Sequence, residues 1–357
     1  MQLMKSARLH RTAWATRTAT MASRPLRRGP TDLVRPTDET GYRRAGHWTV
    51  FAPVHGREVE MSETDRVVAV TGATGRQGGA VAHHLLAEGW RVRALTRKPD
   101  GGAARRLAAR GAEVVAADMD DRAALVRAFR GAYGVFSVQN PMISGLEAEV
   151  RQGRNVGEAA REAGVQHVVY ASAGVGGQGT GIGSWESKAA VQAHLGALGL
   201  QLTVLRPMAF MEIMIDRAFY PAVAMWYLMP KLTGADLPIG WISVEDVGAV
   251  ALRAFADPDR FVGADLQLTA DVRSNAECRE IWRTVTGRRP RRFPMPIAVF
   301  ERFVGTDLTT MWRWLATASL HIDPAPTREI LPTASSVETW LTKRKLKALP
   351  PHGLRRR

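Results

Sequence analysis

Val67-Val68-Ala69-Val70-Thr71-Gly72-Ala73-Thr74-Gly75-Arg76-Gln77-Gly78 is the stretch on which the reading of this chain turns. An apolar, β-branched run leads into three glycines spaced G-x-x-G-x-x-G. A helical pattern carried by Ala80, Val81, Leu85 and Leu86 follows at once. A glycine triplet alone says little. Set between a strand and a helix, it has the context of a dinucleotide-binding turn. Each glycine then has a separate task. Gly72 allows the sharp turn, Gly75 lets backbone approach a pyrophosphate, and Gly78 lets the helix pack close to the strand. The N–H groups at the helix start face the phosphate charge. The turn residues Thr74, Arg76 and Gln77 belong to the same expected cofactor cradle.

The next apolar run, Arg91 to Thr96, reads as the second strand. A site built for NAD places Asp or Glu near the end of this strand to accept from the ribose 2′-hydroxyl. Here the strand is followed by Arg97 and Lys98, with no acid until Asp100 beyond Pro99. A carboxylate would repel a 2′-phosphate. An arginine grips one with paired charged hydrogen bonds, and a lysine adds a point charge. The expected cofactor is therefore NADP(H).

Further along, Glu113 to Ala117 reads as a third strand, Tyr133 to Val138 as a fourth, Gln166 to Ala171 as a fifth and Leu200 to Leu205 as a sixth. Helical patterns over Asp121–Arg130, Leu146–Ala163 and Glu186–Leu198 lie between them. The alternation argues an α/β fold: a doubly wound parallel sheet of Rossmann type, with helices on both faces. Ligands of such sheets bind beyond the carboxyl ends of the strands. After Pro207 the rhythm breaks into a segment dense in Met and aromatics, from Met208 to Met229. It suits core packing residue by residue, and collectively an apolar cleft. Strand and helix return over Trp241–Phe255, Leu266–Leu268 and Asn275–Thr286.

The 357 residues carry a formal net charge of +15, and its location matters more than its size. Residues 1–60 hold 11 Lys/Arg against 5 Asp/Glu, and residues 343–357 hold 7 with no acid. The body between is nearly neutral, so the high basicity says little about what the body binds. Four segments are expected: a basic extension without stable structure over 1–62, an NADP-binding Rossmann core over 63–206, a smaller substrate-binding region over 207–342, and a solvated basic tail over 343–357. The first segment reads as a disordered arm or an over-extended reading frame ahead of Met61. It is Arg-rich as a transit peptide is, but lacks the apolar core of a secretory signal.

Other chemistries find no support. No apolar run is long enough to span a membrane. The single Cys278 precludes an internal disulfide and suits a reducing cytoplasm. Cys and His clusters of metal-ligand spacing are missing, and no histidine sits in a nucleophile context. Arg288-Arg289-Pro290-Arg291-Arg292 reads as a solvated turn, with no interleaved aromatics or recognition helix to make it a nucleic-acid site.

Several pieces in order give the chain a resemblance to the NmrA-like family, a branch of the atypical short-chain dehydrogenase/reductases. They are Thr71 to Gly78, Leu95-Thr-Arg-Lys-Pro99, Ala117-Asp118-Met119-Asp120, Val169-Tyr-Ala-Ser172, Trp185-Glu-Ser-Lys188, Leu205-Arg-Pro207 with Phe210-Met211-Glu212, and Ile242 to Val247. The resemblance covers roughly residues 64–342. It implies NADP(H) binding, with Asp118 and Met119 flanking the adenine and Gln139 and Asn140 near the nicotinamide. Short-chain reductases pair Tyr with Lys four residues on, and members of this family often carry His in place of Tyr. Here Ser184 precedes Lys188 at that spacing, and an alkyl hydroxyl is too weak an acid for the task. Lys188 is left to hold the nicotinamide ribose or to act as the proton shuttle, while Tyr170 is expected to be buried in its strand. Phe210 and Met211 are expected against substrate. Two functions follow. One is an NADPH-dependent oxidoreductase acting on a small apolar carbonyl or quinone. The other is a non-catalytic NADP(H) sensor that regulates a protein partner.

Overall fold

The computed structural model describes residues 67–175, 179–215 and 224–348, with side chains to Arg344. The N-terminal extension and the end of the basic tail lie outside them.

The strand of the opening motif, β1 (Val67–Val70), is buried along its whole length, as the centre of a parallel sheet requires. Its side chains alternate between two cores. Val68 and Val70 join one, and Val67 and Ala69 join the other. The first half of the chain then winds as α1 (Arg76–Ala87), β2 (Arg91–Thr96), α2 (Gly102–Ala108), β3 (Glu113–Ala116), α3 (Arg122–Phe129), β4 (Gly134–Ser137), α4 (Pro141–Ser144), α5 (Leu146–Glu162), β5 (His167–Ala171), α6 (Gly183–Ala197) and β6 (Leu202–Pro207).

The second half adds β7 (Ala209–Phe210), α7 (Met229–Thr233), β8 (Ile239–Ile242), α8 (Val244–Ala256), α9 (Pro258–Phe261), β9 (Asp265–Leu268), β10 (Asp271–Arg273), α10 (Asn275–Thr286), α11 (Ile297–Val304), α12 (Asp307–Thr317), α13 (Ala325–Ile330) and α14 (Val337–Ala348). Seven strands form one sheet in the order β3-β2-β1-β4-β5-β6-β9, every neighbour parallel. This is the doubly wound sheet expected from the alternation. Its order reverses between β1 and β4, which is where such sheets open a crevice for ligand.

Helices cover both faces. Val81 and Leu85 of α1 and Val247 and Val250 of α8 fill one core. Leu125 and Phe129 of α3 and Val156 and Ala160 of α5 fill the other. A three-stranded sheet, β10-β8-β7, stands beside the large one. The region after Pro207 packs into the same core as α1: Met211, Met214, Trp226, Met229 and Trp241 are all buried there. It also returns a strand, β9, to the edge of the main sheet at β6.

The start of the basic segment is helical. Lys343 to Ala348 continue α14, because Trp340 and Leu341 are buried and anchor the helix that carries them. Lys343 Nζ donates to Ser335 Oγ at 3.3 Å, and Arg344 Nη2 lies 3.7 Å from a Glu212 carboxylate oxygen.

Candidate functional site

The crevice is built first by Thr71. Its N–H donates to the Phe136 carbonyl at 3.0 Å, and its hydroxyl lies 3.2 Å from the carbonyls of Phe136 and Val138. The same hydroxyl accepts from Val138 N–H at 2.9 Å, so the ends of β1 and β4 are pinned together. Gly72 then turns with φ +59°, a backbone that L side chains rarely adopt. Gly75 N–H closes the turn onto Gly72 O at 2.8 Å. A Cβ on Gly78 would stand 2.4 Å from Gly72 O, which explains why only glycine starts α1 so close to β1.

Gly75 caps α1 without a side-chain bond, and the first turn holds no acid. The helix start is thus left open to an anion. Thr74, Gly75 and Arg76 are exposed around it. Gln77 is half-buried, and its Oε1 has no hydrogen-bond partner among the described residues.

At the end of β2, Arg97 and Lys98 are both exposed. Lys98 N–H donates to Thr96 Oγ1 at 3.1 Å, and its carbonyl accepts from Gly101 at 3.0 Å, a tight turn that carries both cations past the strand. Across from them Asp120 is held below the usual carboxylate range, first by the Gln152 amide, then by Arg151, and last by the charge of Arg97. The half-buried Asp118 follows β3 and accepts from Asp120 N–H at 3.1 Å.

Met119, Gln139 and Lys188 come together. Gln139 Nε2 donates to Ser137 Oγ at 3.0 Å and lies 3.8 Å from the Met119 sulfur, while its Oε1 is buried with no partner among the described residues. Asn155 Nδ2 holds the Met119 carbonyl at 2.9 Å. Met119, expected beside the adenine, and Gln139, expected near the nicotinamide, are thus in contact. Asn140 is exposed and caps α4 by accepting from Met142 N–H at 3.0 Å.

Lys188 is 9% exposed, and its ammonium meets Glu149 Oε1 at 2.7 Å and the Gln139 carbonyl at 3.3 Å. Glu149 is fully buried, and Ser187 Oγ donates to its other oxygen. Tyr170 is fully buried, as its strand position predicts. Burial first, and the Glu149 charge second, push its hydroxyl well above the usual phenol range. A phenol so placed is a poor proton donor. Ser184, four before the lysine, is half-buried, and its backbone N–H donates to Asp307 Oδ1 at 3.0 Å.

The substrate-side expectations divide. Phe210 keeps partial exposure, whereas Met211 is fully buried and has no surface to offer a ligand. Met211 starts a 3-10 turn that seats it, with Met214, in the core shared with α1. Three apolar residues with no such role stand exposed just past Gln139, namely Met142, Ile143 and Leu146. Their signal in the sequence is an apolar triplet at a polar helix start. Glu149 also escapes a linear reading, being brought to Ser187 and Lys188 by the packing of α5 on α6. Among the described residues no group of His, Cys, Asp or Glu could hold a metal, and no helix is long and apolar enough to cross a membrane.

The sequence pattern of the NmrA-like family matches residues 64–341. An NmrA-like family domain-containing oxidoreductase, malD of Malbranchea aurantiaca, is 32% identical over 65% of this chain and 76% of its own length. Among solved structures, a negative transcriptional regulator named NmrA is similar at 20% identity over 80% of this chain and 98% of its own. It has been solved with NADP and with NAD, at TM-scores of 0.63 and 0.62. An NADPH-dependent quinone oxidoreductase of Escherichia coli is similar at 19% identity and TM-score 0.61, over 78% of this chain and 99% of its own. At these identities the two structures speak for the fold.

Proposed function

From the premise that the chain belongs to the NmrA-like family, we propose that it is an NADP(H)-dependent oxidoreductase acting on a small apolar carbonyl or quinone. The observation that carries this reading is Lys188, held at the mouth of the β1–β4 crevice by Glu149 and the Gln139 carbonyl. The residues fit the cofactor. A glycine turn that side chains would fill, an uncapped helix start, and the Gln139 amide oxygen, buried without a partner among the described residues, are features a bound dinucleotide would satisfy.

Gly72 to Gly78 would hold the pyrophosphate, with Thr74, Arg76 and Gln77 around it. Arg97 and Lys98 would hold the 2′-phosphate. Asp118, Met119, Gln139 and Asn140 would line the remaining walls, and Lys188 would meet the nicotinamide ribose. Bound there, the cofactor supplies a hydride to the acceptor. The chain must then orient that acceptor and furnish a proton. Among the described residues Lys188 would furnish that proton, since Tyr170 is buried and Ser184 is an alkyl hydroxyl. Met142, Ile143 and Leu146 offer exposed apolar surface beside Gln139, which suits a flat, poorly hydrated substrate. The lone buried Cys278 agrees with a cytoplasmic setting.

The test is NADPH oxidation by the purified protein against a panel of quinones and aldehydes. Turnover with at least one is the expected result. Tight cofactor binding with no turnover on any of them contradicts the enzyme and favours the second reading, an NADP(H)-dependent regulator of a protein partner. Ser184 is what favours that alternative, because it removes the usual proton donor. A set of bound proteins that changes with NADPH would support it.

A further inference from the structure

Glu149 is a fully buried carboxylate with two partners in view: the Lys188 ammonium at 2.7 Å and the Ser187 hydroxyl. A buried ion pair is seldom retained for stability, because desolvating both charges offsets most of their attraction. What such a pair fixes is position. Lys188 has three N–H donors, and two are taken, by Glu149 and by the Gln139 carbonyl at 3.3 Å. The third has no partner among the described residues.

The helices are built to bring the two charges together. Glu149, Gly153 and Gly157 are spaced four apart and form one stripe of α5. Lys188, Val191 and Leu195 form the facing stripe of α6. A Cβ on Gly153 would stand 2.5 Å from Val191 Cγ1, and one on Gly157 would stand 2.3 Å from Leu195 Cδ2. The bare backbone at those positions lets α6 approach until Lys188 reaches the carboxylate.

We propose that Glu149 is the positioning residue of the site: with Ser187 on its far oxygen, it holds the Lys188 ammonium so that the free N–H engages the nicotinamide ribose. Glu149 touches neither cofactor nor substrate and acts through Lys188. The inference rests on the functional reading above, so its test must separate the two.

The experiment compares the wild type, Glu149→Gln, Glu149→Asp and the double variant Glu149→Gln/Lys188→Met. Each full-length protein is titrated with NADPH and with 2′-phospho-ADP, which lacks the nicotinamide ribose, and tryptophan fluorescence is followed. Losing a charged hydrogen bond to the ribose weakens binding on the order of tenfold. Glu149→Gln should therefore bind NADPH about tenfold more weakly while binding the fragment as the wild type does. The double variant should lose little more, because Glu149 has no other route to the cofactor. Glu149→Asp, which keeps the charge and shortens the reach, should fall between. The double variant removes both charges together, so it tests the idea even where a lone Lys188 substitution fails to fold. Three results overturn the proposal. Glu149→Gln could keep wild-type affinity for NADPH, it could lose affinity for the fragment equally, or the double variant could lose much more than the single. A wild type that binds neither probe contradicts the functional reading itself and takes this inference with it.

Discussion

Lys188 and Glu149 stand or fall as a pair, and stability shows it without any ligand. Lys188→Met leaves a carboxylate buried and unpaired, a change that costs about 3–5 kcal/mol when one partner of such a pair is removed. Removing both charges in Glu149→Gln/Lys188→Met should recover most of that loss in urea unfolding. A double variant as unstable as the single one would mean that the damage is to packing. Glu212 carries a second residue-scale prediction. Burial raises its pKa from 4.5 to about 7, despite the Val244 N–H and Arg344 nearby. Its folded form therefore binds more protons than its unfolded form between pH 4.5 and 7, so stability is lost as pH rises through that window. His167 acts in the opposite sense. Burial lowers its pKa from 6.5 to about 4, and stability is lost as pH falls through that range. The two slopes offset each other in the wild type. Glu212→Gln should remove one of them, becoming more stable than the wild type above pH 7, on the order of 3 kcal/mol at most. Its stability should then fall plainly on acidification below pH 6.5. Melting curves across pH 4–8 measure both, and a variant curve parallel to that of the wild type would refute the assignment.

At the scale of elements, the α5–α6 contact sets the site. Gly153→Ala would push a methyl into Val191, and overpacking of this kind costs about 1–3 kcal/mol. It should also move Lys188 off Glu149, so NADPH binding should weaken more than binding of 2′-phospho-ADP. An equal loss for both ligands would detach this contact from the ribose clamp. The same contact marks the limit of what a linear reading shows. The glycine turn is legible because Gly72, Gly75 and Gly78 serve contacts within a dozen residues of one another. Arg97 and Lys98 are legible because the end of β2 is fixed by its own apolar run. Glu149 is not, since its meaning depends on a lysine 39 residues away on another helix. Met211 misleads for the reverse reason. Beside Phe210 it looks like cleft lining, and only the direction of the turn buries it.

Across the whole molecule, the doubly wound parallel sheet and the helices on both its faces follow from apolar alternation, and they appear as expected. At the C-terminus, Trp340 and Leu341 seat α14 against the core, and the helix carries the exposed Lys343 and Arg344 with it. A chain ending at Thr342 should thus melt below the full-length protein, having lost the Lys343–Ser335 bond and the arginine beside Glu212. Equal melting temperatures would show that the last turns of α14 contribute nothing. The central claim, an NADP(H) site opened between β1 and β4 and read by Arg97, has its own direct measurement. Wild type and Arg97→Ala are each titrated with NADPH and NADH while tryptophan fluorescence is followed. The account predicts that the wild type binds NADPH more tightly, and that Arg97→Ala loses most of that preference, roughly tenfold or more for a charged hydrogen bond, with NADH binding little changed. Equal wild-type affinity for the two nucleotides, or a preference that survives Arg97→Ala intact, would contradict it.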